Sequence, residues 1–515
     1  MRSIFPILML WLCTGIAIGP PDATDLMAQT DGQAIASPET GDPLKAISAP
    51  LLDPFQFPEQ LTRQVASARL ESDLATMQRF SPSYPFWQHV FTVPDGSVAF
   101  GSAVNGRLLV TFPVRGNWTR DGVWEDPSGA EALGNARLPS NLNRRRDEVA
   151  RRLETLGDPV LHNQTRGLSL QRNSDKYGVF LDEWGAIYER FGVPADIGLA
   201  QAIVESGLSG TVRSRARALG FCQWLQTNWS RLKRLAPHVI EGYNQTTQAP
   251  YCAAYLTVLA TKYGSFIPAL SEHHAGAANV GRTLINGERL GGSDVRERYF
   301  LGASFARDLR RASPRTFRDL YGTFGPRSAL YAEMTFGNIT NVERVRSAMS
   351  QVDVFAMRTP RARSLADVAK GSGVSTAEVR RFNPALKRQV PADGTVYLPR
   401  YVEAFGPDVS FWHRPPSAEY SAVLNEFVQL DVPLKEWGDK AFDSVLQTFR
   451  KRFEATKTEE GSVMATTLAF VLQDQRSSRQ AQIIAEFRTS PRILRLFERG
   501  RSVWDAFVAA SFGAS

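Results

Sequence analysis

Glu205 is the side chain best placed by its surroundings to do chemistry. It closes the stretch Asp196–Ser206, DIGLAQAIVES, whose Ile197, Leu199, Ala200, Ala202, Ile203 and Val204 are apolar, and Gly207 follows as a breaker. A helix apolar on every face is a buried helix. A carboxyl group at its end is costly to ionise, so its pKa rises and it holds a proton near neutrality, as a general acid must. The bland alternative is a helix-terminal glutamate reaching water. Acid–base chemistry by carboxyl groups often uses a pair of them, one as acid and one as base. Glu272, Asp294 and Glu297 are in range along the chain, and each reads equally well as a surface charge. The adjacent pair His273-His274 raises the question of a metal. Neighbours on a helix point apart and no third ligand stands at helical spacing, so no metal or other cofactor is expected.

Several elements must position that acid. Pro194 precedes the stretch, and Asp196 is expected to cap it by accepting free backbone N–H groups. Ser174–Phe191 carries Tyr177, Phe180, Leu181, Trp184, Ile187 and Tyr188 near helical period and should lie beside it, with Gly192-Val193-Pro194 as the turn. Downstream, Leu225–Leu235, Pro250–Tyr263, Phe266–His274 and Arg296–Leu309 read as helices. The chain has three cysteines. With Cys13 inside the N-terminal apolar run, Cys222 and Cys252 remain, and they read either as a disulfide or as two buried thiols.

Glu205-Ser206-Gly207, then Gly220-Phe221-Cys222-Gln223-Trp224, then His274-Ala275-Gly276 resemble, in this order and at similar spacing, the catalytic domain of soluble-type lytic transglycosylases. The resemblance covers about Lys176–Arg310 and implies a helical, lysozyme-like fold with a groove for a glycan strand. It implies that Glu205 acts alone, first as acid and then as base. Ser206 would steady it or touch the sugar, and Gln223 would line the groove. Tyr299 would match a tyrosine near the acid. Ala275 and Gly276 complete the third motif, in which His274 stands where the family commonly has asparagine. A neutral imidazole there could still address an acetamido group; a protonated one would depress the glutamate's pKa.

The whole chain is that of a soluble globular protein: 515 residues, 43% hydrophobic, 22% charged, net charge +8. The positive excess is spread along the chain, and no basic block is interleaved with aromatics, so nucleic acid is not an expected partner. Residues 1–19 pair one arginine with an apolar run of signal-peptide length, which predicts export to the periplasm or cell envelope. Leu12 before Cys13 is too large for the usual lipid-anchor pattern. Peripheral association with membrane or wall stays open. Residues 20–53 read as a disordered linker. Residues 54–172 read as a helix-plus-hairpin module: a helix at Gln60–Arg79, then runs Ser97–Val104 and Arg107–Val114 joined by Asn105-Gly106. A charged helix at Asn143–Leu156 and a polar connection follow.

Residues 355–400 resemble a LysM module, a small βααβ unit that binds N-acetylglucosamine-containing glycans, on the text SLADVAKGSGVSTAEVRRFNPAL and VPADGTVYLPR. Its helices would be Ser364–Ala369 and Thr376–Phe382, and Val396–Leu398 the return strand. Arg361-Ala362-Arg363 replaces the usual Gly-Asp-Thr. Residues 408–515 carry helical periods over Ser421–Leu430, Leu434–Phe453, Thr467–Phe487 and Pro491–Ala510, and a small bundle is expected. The expected fold is thus mainly α, α+β overall, with the catalytic domain at residues 173–325. The resemblances imply a peptidoglycan lytic transglycosylase whose partner is the glycan strand. The alternatives are a hydrolytic muramidase of related fold and a wall-binding scaffold with a dead site.

Overall fold

The computed structural model describes residues 58–236, 243–406, 415–430, 440–473 and 475–512. The expected export signal, with Cys13, and the linker at 20–53 lie outside these residues. The protein is mainly helical, with four small sheets among the described residues. No helix among the described residues is long and apolar enough to cross a membrane.

One core runs from Met77 to Phe497 and buries the Glu205 helix, Ala195–Ser206, at its centre. Ile197, Leu199, Ala200 and Ala202 on that helix are wholly buried, as its apolar composition requires. Asp196 does not cap it. The cap position is Pro194, without a side-chain bond, and Asp196 lies in the first turn, 3.7 Å from the guanidinium of Arg346. The neighbouring helix is broken: Leu168–Tyr177 and Leu181–Arg190 are separated by a 3₁₀ turn at Gly178–Phe180. Gly178 is held tightly there, because a Cβ would meet Val345 Cγ1 at 2.8 Å.

The helix Pro58–Phe80 does not stay with the hairpin that follows it. It docks on the helical body through Asp73, which is fully buried and accepts bonds from Arg296 Nε, Ser265 Oγ and the Phe266 N–H, each at 2.6 Å. The hairpin is present as Ser97–Ser102 paired antiparallel with Leu108–Pro113. Gly106 supplies the positive φ of its turn, 75°. Two further strands extend it, Val123–Trp124 on one edge and Val160–Gln164 on the other. The last of these falls in the stretch read as a polar connection. Val98 and Phe100 join a second, smaller core with Phe112, Trp118 and Val149, while Ala99 faces the main one.

Residues Phe355–Leu398 form a βααβ unit: strand Phe355–Arg358, helices Leu365–Ser372 and Thr376–Phe382, and strand Thr395–Leu398 antiparallel to the first. Ser364 and Ser375 cap the two helices. The unit keeps its own core around Val368, Val379 and Val396, yet Asn244 Nδ2 reaches its Phe382 carbonyl at 3.0 Å.

The C-terminal helices Ala418–Val428, Lys440–Ala455, Glu459–Leu472, Gln475–Thr489 and Pro491–Phe512 are not a self-contained bundle. They wrap the body that carries the Ala195–Ser206 helix. Phe470 stacks on Trp224 at 5.4 Å, Ile484 fills the space above Gly281, and Trp504 Nε1 donates to Asp308 at 2.9 Å. Arg190 and Glu460 form a buried ion pair at 2.6 Å. The expected single helix Thr467–Phe487 is two helices.

Candidate active site

The site is assembled at the C-terminal end of the Ala195–Ser206 helix, where Gly207 closes the helix at φ 56°. A Cβ on Gly207 would meet Ser169 Cβ at 2.8 Å, so neither conformation nor space admits a larger residue. Glu205 keeps 14% of its side chain exposed. Its Oε1 accepts a hydrogen bond from the Tyr331 hydroxyl. Its other oxygen, Oε2, has no partner among the described residues and is not sealed from solvent. Burial pushes the carboxyl pKa from 4.5 up to about 7, against the Tyr331 bond and the positive charge of Arg327, which both pull it down. This is one proton held on a mostly buried acid with one free oxygen. The helix-end glutamate is mostly buried, and only its Oε2 side reaches solvent.

His273 faces this acid, His274 stacks on the tyrosine that holds it, and burial favours the neutral form of both rings. His273 Nε2 lies 2.9 Å from the Cys222 carbonyl and 3.9 Å from Glu205 Oε1. A carbonyl only accepts, so Nε2 carries the hydrogen and the tautomer is set. Burial lowers the pKa of His273 to about 4, with the Cys222 bond opposing. The His274 ring stacks on Tyr331, centroids 4.6 Å apart and planes within 11°. His274 has an open outer edge, but its ring is crowded by protein; desolvation, then Arg327 and His273, hold its pKa well below 6.5. The charged form that would have weakened the acid is therefore disfavoured. Among the described residues no three His, Cys, Asp or Glu side chains are grouped to hold a metal.

The other expected site residues divide by what they touch. Ser206 is buried and its Oγ donates within the protein, to the carbonyl of Ala202 at 2.9 Å or of Phe221 at 3.1 Å. It ties the acid's helix to the Gly220–Trp224 loop rather than meeting a ligand. Gln223, at φ 51°, donates its amide to the carbonyls of Val212 at 3.1 Å and Gly220 at 3.0 Å, bracing its own loop. Ala275 ends the histidine helix, and Gly276, at φ 83°, turns the chain directly into the helix Ala277–Arg289. Cys222 and Cys252 are joined as a disulfide, which staples the motif loop to the Gln245–Tyr263 helix. The alternative of two buried thiols does not hold.

Tyr299 is not beside the acid. It is fully buried and its hydroxyl donates to the Ser328 carbonyl at 3.3 Å. The tyrosine that meets Glu205 is Tyr331, on the helix Tyr331–Gly337, past the expected end of the catalytic domain at residue 325. The three acidic residues considered as a second carboxylate are all occupied elsewhere. Glu272 is bound by Lys262 Nζ at 2.7 Å and by the Tyr263 hydroxyl. Asp294 caps the Val295–Ala312 helix, and Glu297 pairs with Arg79 at 2.8 Å. No protein-family model matches the chain, and no curated protein matches it.

Proposed function

We propose that the protein is a peptidoglycan lytic transglycosylase, exported to the cell envelope, that cuts the β-1,4 bond between N-acetylmuramic acid and N-acetylglucosamine. The observation that carries this reading is the solitary acid: Glu205 at a pKa of about 7, one oxygen on Tyr331, the other open, and no second carboxylate engaged with it among the described residues. Oε2 donates its proton to the glycosidic oxygen as the C1–O bond breaks. The resulting carboxylate takes the proton of the muramic acid 6-hydroxyl as O6 bonds to C1. The product is a 1,6-anhydro ring, the acid is regenerated, and no water is consumed. A nucleophile on the substrate itself removes the need for a second carboxylate or a bound water. A pKa near the working pH serves both halves of this cycle.

Within this reading the helical body is the lysozyme-like catalytic domain, and the βααβ unit at Phe355–Leu398 is a LysM-like glycan-binding module. Support for the module is its element order, matched helix for helix to the sequence resemblance. Its Arg363 is turned inward, over the Phe405 ring at 4.8 Å and onto the Ala404 carbonyl at 2.8 Å. Any glycan contact therefore falls to other residues of that loop.

Mass spectrometry of purified sacculi after digestion tests the reaction. Muropeptides lighter by one water than hydrolysed ones, absent with Glu205→Gln, are the expected result. Ordinary reducing ends would point to a muramidase, and wall binding without any cleavage to a scaffold.

A further inference from the structure

One cation at the site takes no part in the reaction above. Arg327 lies in the short helix Pro326–Ala329, which passes through Leu330 directly into the Tyr331–Gly337 helix. The Leu330 N–H bonds the Arg327 carbonyl at 3.3 Å, which fixes Arg327 in the turn just before Tyr331. The short helix packs against Phe266–Ala275, the helix that carries His273 and His274. Arg327 thus stands on the element that leads from the histidine helix into Tyr331, which reaches Glu205 and stacks on His274. Its positive charge is felt at both of those residues. The side chain is half-buried and makes no hydrogen bond or ion pair among the described residues. Other arginines of this body are engaged: Arg296 with Asp73 at 2.6 Å, Arg346 with Asp182 at 3.0 Å. A guanidinium offers five donors and accepts nothing, so Arg327 has a fork without an acceptor.

We propose that Arg327 binds the lactyl carboxylate of the muramic acid being cut, so that the preferred substrate is a glycan strand whose reacting muramic acid carries no peptide. The inference rests on the transglycosylase reading. Where peptide is attached, the lactyl carboxyl is tied up as an amide, neutral and with a single acceptor oxygen. Removing the peptide leaves a carboxylate, whose two oxygens and full charge match the guanidinium fork. The lactyl group hangs from O3 of the same ring whose C1 is attacked, so its binding group must stand at the same site as the acid without touching it, as Arg327 does. Carboxylates farther along a peptide are carried away from the ring. The reaction that supplies this substrate is therefore hydrolysis of the amide between the lactyl carboxyl and the first amino acid.

The test offers the full-length protein two substrates, strands stripped of peptide by an amidase and the same strands with peptide, and measures release of anhydro ends. Stripped strands should react about tenfold faster or more, the size of a charge-assisted hydrogen-bond pair. That preference should collapse in Arg327→Gln and survive in part in Arg327→Lys, with circular dichroism showing both folded. Equal wild-type rates, or a preference that persists in Arg327→Gln, would overturn the assignment. Binding of both strand types to Glu205→Gln, with and without Arg327→Gln, separates the two layers of the argument. If no anhydro ends ever form but stripped strands still bind through Arg327, the reaction falls and the anion site stands. If binding shows no Arg327-dependent preference, the anion site falls whatever the reaction.

Discussion

Asp73 and Glu205 are both carboxylates withdrawn from water, at opposite kinds of place in the molecule. Asp73, where the Pro58–Phe80 helix docks, receives a guanidinium, a hydroxyl and a backbone N–H at 2.6 Å each. Glu205 receives one neutral hydroxyl, from Tyr331, beside an uncharged imidazole. Glu272 repeats the Asp73 pattern, with Lys262 Nζ at 2.7 Å. A buried carboxylate in contact with a cation is a strut: burial pushes the Asp73 pKa up as it does that of Glu205, but the Arg296 charge, Ser265 and the Phe266 N–H all oppose it. One given only neutral donors keeps its proton and can lend it. Arg327 acts on Glu205 only from a distance, which leaves that distinction intact.

Replacing each acid should break the comparison in opposite ways. Glu205→Gln should lower anhydro-product release by about a thousandfold, the usual contribution of general acid–base catalysis, while leaving the fold at least as stable. Asp73→Ala should destabilise by about 3–5 kcal/mol, because Arg296 is left buried and unanswered. Its rate per folded molecule should be nearly unchanged. Urea denaturation and product release, measured on both variants, read the two axes. A catalytic loss in folded Asp73→Ala, or a stability loss in Glu205→Gln, would dissolve the contrast.

The same contrast predicts a pH dependence. The folded protein binds the Glu205 proton more tightly than the unfolded chain, with a pKa of about 7 against 4.5. Below pH 4.5 both states hold the proton and the contribution to stability is complete; it is lost as pH rises through 7. The loss is about 3 kcal/mol at most. Urea titrations of wild type and Glu205→Gln should therefore converge at low pH and separate above neutrality, with the variant the more stable.

What could be read from the residues alone follows from where the information lies. The hairpin was legible because Val98 and Phe100 alternate with Ala99 around an Asn105-Gly106 turn. The second helix of the βααβ unit, Thr376–Phe382, was legible to the residue because Ser375 caps it and Asn383-Pro384 stops it. The acid itself was legible from one unusual contrast, a charge at the end of an apolar helix. Tyr331 was not, because it lies 126 residues beyond Glu205 in ALYAEMTF, where nothing but helical packing is written. Tyr299, the tyrosine to which the family resemblance points, is buried elsewhere with its hydroxyl on the Ser328 carbonyl. The strand Val160–Gln164 was hidden by its polar second half and exists because Ser97–Ser102 offers it an edge. The C-terminal helices showed their period but not their partners, since a period says which face is apolar and not what will cover it.

Tyr331→Phe gives the finest probe of how neutral donors tune the acid. The hydroxyl donates to Glu205 Oε1, and that bond favours the ionised form. Removing it should raise the Glu205 pKa further above 7. The acid must be protonated to start the reaction, so activity falls as pH rises through its pKa. In Tyr331→Phe that alkaline limb should move to higher pH. The rate on the plateau should drop about tenfold, because the ring no longer aims Oε2 and a neutral hydrogen bond contributes about 1 kcal/mol. The ring itself remains, so the stack with His274 at 4.6 Å is kept and the change reports the hydroxyl alone. An alkaline limb that moves to lower pH would mean that Tyr331 stabilises the protonated carboxyl, and the hydroxyl would then hold the proton on Glu205 rather than draw it off.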